Sequence, residues 1–340
     1  MGHGGNVLEA ASKSGMSIRD IIDFSASIND FMEINDIIIK KDQIKMYPQG
    51  LKIKNKSLCE FNDALPVPGL TFFIHRLLSY INGNIIIVEP TFNEYKYAFT
   101  HGTRINLPFN LINNNPEILN NYNFSLIIIV YPDNPLGNLI SRDSLLTISE
   151  ICRKKSALLF IDESFIFFLK NRYNENDLLN GSTIIGRSLT KILGVPSLRI
   201  GYIATDDYNM EISKKITGPW SVPDYVIDYI NSIKLDYDFL DIMENEKSFM
   251  INNMEAMGFR AAGDHSANFI TFMIPDFIDA HDFYSYLIKN GILVRLLDDY
   301  ECLGEQYIRI GIRRHEFNIK LVNAIRGFLN ENDSGSRDLF

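Results

Sequence analysis

Short apolar runs, most of them rich in β-branched residues, recur through the first two thirds of the chain, at 85–88, Leu126–Val130, 158–161, 182–186 and Gly201–Thr205. Each is too short for a helix, and successive positions are apolar, so both faces of a strand would be covered. The spacers between them are of helical length, as at Arg142–Lys155. Parallel strands need such crossovers, because a tight turn can only join antiparallel ones. The pattern therefore predicts an α/β fold built on a large, mostly parallel sheet with helices on both faces. Ligands of such sheets gather beyond the carboxyl ends of the strands.

The pattern changes after Pro219-Trp220-Ser221-Val222-Pro223. Residues 224–257 contain no Gly or Pro and read as a helix. Strands follow at 268–274, 292–296 and 307–312, with a helix at 279–290 between the first two. That is a small α/β domain, joined by part of the N-terminus. The expected division is an N-terminal segment at 1–35 that joins the small domain and the substrate site, a large domain at 36–225, the small domain at 226–330, and a flexible tail at 331–340. The tail is expected to fray from Asn330, where Asn, Asp, Ser and Gly take over.

With 340 residues, 46% of them hydrophobic, the chain can bury a core in each domain. Its formal charge of −9 disfavours nucleic acid or an anionic membrane as the main partner, since both call for a basic surface. Cys59, Cys152 and Cys302 are odd in number and widely spaced, which suits reduced thiols better than a disulfide framework or a metal site. The first residues lack a basic stretch followed by an apolar one, and no apolar run reaches membrane-spanning length. A cytoplasmic protein without a metal is expected.

The polar residues at the strand ends carry the chemistry. Ser188-Leu189-Thr190-Lys191 is followed by Arg199-Ile200-Gly201-Tyr202. An amine there can form a Schiff base with an aldehyde, while hydroxyls and a guanidinium hold a phosphate. Pyridoxal phosphate needs both. Upstream, 158–161 ends in Asp162-Glu163, and Leu126–Val130 ends in Tyr131-Pro132-Asp133-Asn134-Pro135. Taken alone, Lys191 reads as a surface lysine, Asp162 as a cap and Asn134 as a turn residue. Their order and spacing favour the functional reading in all three cases.

An Asn, an Asp and a Lys at successive strand ends resemble the aspartate-aminotransferase superfamily, fold type I of the pyridoxal phosphate enzymes. The resemblance covers roughly residues 20 to 330 and implies roles for these residues. Lys191 would be the Schiff-base lysine. Asp162 would pair with the protonated ring nitrogen and keep the ring an electron sink, and Asn134 would donate to the phenolic oxygen. The phosphate would rest on Ser188, Thr190, Arg199 and the segment Pro68-Gly69-Leu70-Thr71, which precedes a helical pattern at 72–80. There the amides of Leu70 and Thr71 would open a helix N-terminus towards the anion. Relatives carry Asn and Glu where this chain has Pro68 and Phe72, so only Gly69 and Thr71 match; the stretch from Tyr47 to Gly69 is also shorter, suggesting a trimmed helix. In Glu89-Pro90-Thr91-Phe92 the aromatic either stacks on the ring, as in the family, or belongs to the core. Met46-Tyr47-Pro48 resembles a segment that reaches a neighbouring subunit's phosphate, which implies a homodimer with a shared active site.

Two further segments bear on the substrate. His3-Gly4-Gly5-Asn6 and Asp23-Phe24-Ser25-Ala26-Ser27-Ile28-Asn29 resemble the opening motifs of the threonine-phosphate decarboxylases of cobalamin synthesis, with Ser27 in place of an Asn. Asp162-Glu163-Ser164-Phe165 leans the same way, since the aminotransferase cousins usually end this motif in a Tyr that bonds the cofactor. In this reading Arg309 grips the carboxylate of a phosphorylated amino acid. Arg295 meets its phosphate, with His3, Gly4 and Asn29 close by. Alternation places Arg309 on the face opposite Ile308 and Ile310. Histidinol-phosphate aminotransferase is the alternative expectation, and a non-catalytic binding protein of this fold the third. A binding protein has no need of Lys191.

Overall fold

A computed structural model describes residues 4–33, 36–172, 175–300 and 302–335. Their contacts divide them into two units. The larger comprises residues 32–134 and 138–237; the smaller comprises residues 4–31, 135–137 and 238–335.

The large unit is organised by a seven-stranded sheet. Across it the strands run Leu65–Val67, Gly201–Thr205, Thr183–Ser188, Leu158–Asp162, Leu126–Val130, Ile85–Glu89 and Arg104–Pro108. All pairings are parallel except those of Gly201–Thr205, which runs against both of its neighbours. Every residue of Leu126–Val130 and Ile85–Glu89 is buried, as strands covered on both faces require. The helix Leu70–Tyr80 lays Phe73, Ile74 and Leu77 against Ile87, Ile128 and Phe160 of the sheet. The helix Arg142–Lys155 begins where the Ser141 hydroxyl accepts from the Ser144 amide (3.1 Å), and ends in Arg153, Lys154 and Lys155, matching the helix dipole at its C-terminus.

The five interior strands lie where the apolar runs predict them. Both edge strands escape the pattern. Arg104–Pro108 alternates exposed residues with the partly buried Ile105 and the buried Leu107, and Leu65–Val67 carries a proline, which edges tolerate because one side of the ladder is unpaired. Residues 46–64 form neither helix nor strand, in keeping with the trimmed segment ahead of Gly69.

In the small unit, Arg295–Leu296, Tyr307–Gly311, Phe269–Met273 and Arg260–Ala262 form a four-stranded antiparallel sheet. The N-terminal segment joins this unit. Ile22–Asp23 pairs in parallel with Ile292–Leu293, and the helix Val7–Ser14 buries Ala10 and Ala11 in a cluster with Ile288 and Leu293.

Three expectations need correction. The single helix at 224–257 is two, Asp224–Ser232 and Phe239–Ala256, because the chain passes from the large unit to the small one between them. The single strand at 292–296 is also two, serving different sheets on either side of Val294. The C-terminal helix His315–Gly335 continues past Asn330, so residues 330–335 are helical where fraying was expected. Among the described residues no helix is long and apolar enough to cross a membrane.

Candidate active site

Parallel pairing aligns three strand ends of the large unit. Val130 lies opposite Asp162, and Asp162 opposite Gly186, so the residues that follow all emerge at one end of the sheet. Asp162 is buried there and well supplied with donors. Its Oδ1 accepts from the Ser164 amide (2.9 Å) and its Oδ2 from the Tyr95 hydroxyl. Burial pushes the Asp162 carboxyl above the usual carboxylate range, while the Ser164 side chain, the Tyr95 hydroxyl, the Ser164 amide and the nearby Lys191 amine pull it back. Lys191 stands half-buried in the one-turn helix Leu189–Ile192 that follows Thr183–Ser188. Asn134 is buried beyond Val130, next to Asp133, whose carboxylate accepts from the Asn138 amide (2.9 Å) and side chain (2.7 Å).

The antiparallel strand completes the site. Val67, Gly201 and Ser188 form one row across three strands, so Gly69, Arg199 and Thr190, each two residues beyond that row, come to the same end of the sheet. Gly69 has a positive φ of 80° and immediately precedes the helix Leu70–Tyr80, whose first turn carries no acidic residue. A Cβ at position 69 would lie 2.6 Å from Nη2 of Arg199, so only glycine lets the guanidinium lie against the helix start. The Ser188 and Thr190 hydroxyls lie 2.7 Å apart, both buried. A helix N-terminus, two hydroxyls and a guanidinium make a donor-rich cradle suited to a phosphate monoester. Phe92 is partly buried, set edge-on to Tyr95 with centroids 6.1 Å apart. Phe165 is buried and offers no hydroxyl. Tyr47 stands apart in character: it is 71% exposed and stacks on the exposed Trp220 at 4.7 Å.

Residues that the motifs did not single out are as firmly placed. Tyr95 is fully buried behind Asp162; its signal was a position one helical turn after Phe92. Arg187 and Glu163, each adjacent to a site residue in sequence, form an ion pair at 2.7 Å with both side chains wholly buried. Arg187 also reaches Glu60 (2.5 Å) and the Tyr202 hydroxyl (3.1 Å). The charged residues flanking a strand end were a readable hint, but their pairing across strands was not.

The small unit gathers the residues assigned to the substrate. Arg295, Arg309 and Thr271 are successive cross-strand partners, which places them on one face of the antiparallel sheet. Arg309 donates to the Ser25 carbonyl (3.0 Å) and lies over the Phe269 ring; burial, with Arg295 beside it, lowers its pKa to about 10. Arg295 is held by both oxygens of Asp299 (2.6 and 2.7 Å), a partner the motifs did not indicate. The two N-terminal motifs fold onto each other. Gly5 donates its amide to the Ser25 hydroxyl (2.7 Å), and that hydroxyl donates to Asp23 (2.6 Å). A Cβ on Gly4 would come within 2.2 Å of the Ser25 carbonyl oxygen, so the glycine permits the contact. Asn29 is buried and accepts from the Phe31 amide (3.0 Å). Arg313 bridges to Asp30 (2.5 Å) and the Asp23 carbonyl (2.6 Å). His3 lies outside the described residues.

Residues 67–325 match the family model for aminotransferase class I and II, and the chain belongs to that family. It is thus a pyridoxal phosphate-dependent enzyme of the aspartate-aminotransferase-like fold. Among curated relatives it is 27% identical to the adenosylcobalamin biosynthesis bifunctional protein CobDQ of Leptospira interrogans, over 95% of this chain and 40% of that protein. The chain thus spans well under half of that relative's length. It is likewise 27% identical to a histidinol-phosphate aminotransferase of Buchnera aphidicola, over 88% of this chain and 80% of that one. Among solved structures, the histidinol-phosphate aminotransferase of Clostridium acetobutylicum superposes with a TM-score of 0.75 at 22% identity, covering 91% of this chain and 99% of that one. The L-threonine-O-3-phosphate decarboxylase of Porphyromonas gingivalis gives 0.69 at 21%, covering 79% and 84%. These structural likenesses concern the fold.

Proposed function

We propose that this chain removes the carboxyl group of L-threonine O-3-phosphate as carbon dioxide, yielding (R)-1-aminopropan-2-ol O-2-phosphate for cobalamin biosynthesis in the cytoplasm. The observation that carries the reading is the junction of the two N-terminal motifs with Arg309, through Gly5, Ser25 and Asp23. The first of those motifs is the one the cousins generally lack, and here it is tied through Ser25 to the arginine assigned to the substrate. Threonine phosphate also brings two anionic ends, and two arginines share one face of the small sheet.

Bound pyridoxal phosphate supplies an electron sink for the pair left behind when the Cα–carboxylate bond breaks. The chain's residues do the rest. Arg309 orients the carboxylate, and Arg295 takes the phosphate by exchanging its partner Asp299 for the stronger anion. Lys191 delivers a proton to Cα, where the carboxylate has left. Asp162, ionised, holds the proton on the ring nitrogen.

Histidinol-phosphate aminotransferase is the second reading, favoured by the relatives of that name. A binding protein is the third, and the joint retention of Asn134, Asp162, Lys191 and Arg199 argues against it. Product analysis separates the first two. Incubation with threonine phosphate is expected to release carbon dioxide and the amino alcohol phosphate, and Arg309→Ala to weaken that substrate about ten- to a hundredfold, as for a lost charge-assisted contact. Amino transfer from histidinol phosphate to 2-oxoglutarate, with no carbon dioxide, would transfer the assignment to the second reading.

A homodimer belongs to the same proposal. Ile38, Ile44, Met46, Tyr47 and Trp220 are all exposed in the single chain, and the stacked pair Tyr47–Trp220 is apolar surface suited to cover by a second copy. Light scattering should give twice the 39.0 kDa chain mass; a monomer that binds cofactor at full affinity would remove Tyr47 from the site.

A further inference from the structure

The Tyr95 hydroxyl donates to Asp162 Oδ2 from a fully buried ring. We propose that Tyr95 is a positioning residue that keeps Asp162 ionised, so that the proton shared with the cofactor stays on the ring nitrogen.

The argument starts from the carboxylate. A buried Asp facing a pyridine nitrogen can exist as carboxylate with pyridinium or as carboxylic acid with neutral pyridine, and loss of water favours the uncharged pair. Only the charged pair makes the ring a strong electron sink. Something must therefore stabilise the carboxylate from within the protein. Asp162 has Ser164 on Oδ1, Tyr95 on Oδ2 and the Lys191 charge nearby. Ser164 serves the carboxylate through both its side chain and its amide, and Lys191 is committed to chemistry. Tyr95 donates to Oδ2 from a buried ring whose hydroxyl has no other evident task.

The direction of the bond is fixed by the surroundings. Burial and the Asp162 charge both push the Tyr95 phenol well above its ordinary value, so it keeps its proton and can only donate to the carboxylate. The ring is also well anchored. It belongs to the core cluster that includes Phe73, Ile87 and Phe160, and meets Phe92 edge-on at 6.1 Å. A hydroxyl carried on a packed aromatic ring holds one carboxylate oxygen in place at little entropic cost, leaving the remaining lone pairs for the cofactor.

The role is independent of whether the enzyme decarboxylates or transaminates, so the test does not depend on the substrate. Tyr95→Phe deletes one oxygen and preserves the ring, and circular dichroism with thermal unfolding would verify the fold. The holoenzyme is then loaded with pyridoxal phosphate labelled with nitrogen-15 in the ring. The wild-type signal should be that of a protonated pyridine. In Tyr95→Phe the proton moves from the ring nitrogen to Asp162, so the signal shifts towards the neutral pyridine position, and cofactor affinity falls about ten- to a hundredfold. A folded, cofactor-loaded Tyr95→Phe protein with the wild-type nitrogen signal would overturn the proposal, whatever its activity. A merely structural role would lower stability without moving that signal.

Discussion

Borohydride treatment of the cofactor-loaded protein is expected to leave the label on a single peptide, the one containing Lys191, and Lys191→Ala is expected to carry none. The variant should still fold. Lys191 occupies a one-turn helix whose other members, Leu189, Thr190 and Ile192, are the buried ones, so its own side chain contributes little packing. Activity should nevertheless collapse. Loss of a positioned proton donor alone costs about 10²–10⁴-fold, and loss of the covalent attachment adds to that. Mass spectrometry of the reduced, digested protein reads the result directly. Label on another lysine would mean that Ser188-Leu189-Thr190-Lys191 has been assigned the wrong task.

The second large effect concerns stability. Arg187 and Glu163 are each 0% exposed and bonded at 2.7 Å, so removing one takes from the other its buried ionic partner. Breaking a buried pair in this way costs about 3–5 kcal/mol. The two truncations should not be equal. Arg187→Ala breaks the ion pairs with both Glu163 and Glu60, whereas Glu163→Ala leaves Arg187 with Glu60 at 2.5 Å, the Tyr202 hydroxyl, and the faces of Phe61 and Phe167. Arg187→Ala should therefore lower the unfolding midpoint of the large unit further. Trp220, the single tryptophan of the sequence, lies in that unit and reports its unfolding by fluorescence. Replacing both members by apolar residues of similar size should recover much of the loss, because no charge is then left buried. Equal effects of the two single truncations would show that Glu60 does not support Arg187.

Much of this was readable in the sequence, for identifiable reasons. Interior strands such as Leu126–Val130 are buried on both faces, and that demand leaves an unbroken apolar run. Edge strands such as Arg104–Pro108 face water on one side and carry no such mark. The cofactor residues were legible because Asn134, Asp162 and Lys191 follow three parallel strands in order, so that order in the chain becomes adjacency in space. Partners set by distant contacts were not. Glu60 on Arg187 and Tyr95 on Asp162 each depend on how strands or helices meet, and their residue types are ordinary in a soluble protein. The break at 233–238 was hidden for a related cause: no glycine or proline marks it, and the helix ends because the chain crosses between units.

The one antiparallel strand has a bearing on how such a site could be rebuilt elsewhere. Ser188 and Gly201 are ladder partners, so residues 189–200 form a loop closed at its base, carrying both the amine of Lys191 and the guanidinium of Arg199. A Cβ on Gly201 would meet the Arg187 carbonyl oxygen at 2.6 Å, so a glycine seals that base. Loop closure costs grow only slowly with length, and the sheet would tolerate insertions between the two residues. The geometry would not, since each added residue carries Arg199 away from Ser188 and Thr190. In engineering terms the loop is a cassette whose length is its gauge. It could be moved to any sheet that offers a strand followed by an antiparallel return, provided the spacing from lysine to arginine travels with it.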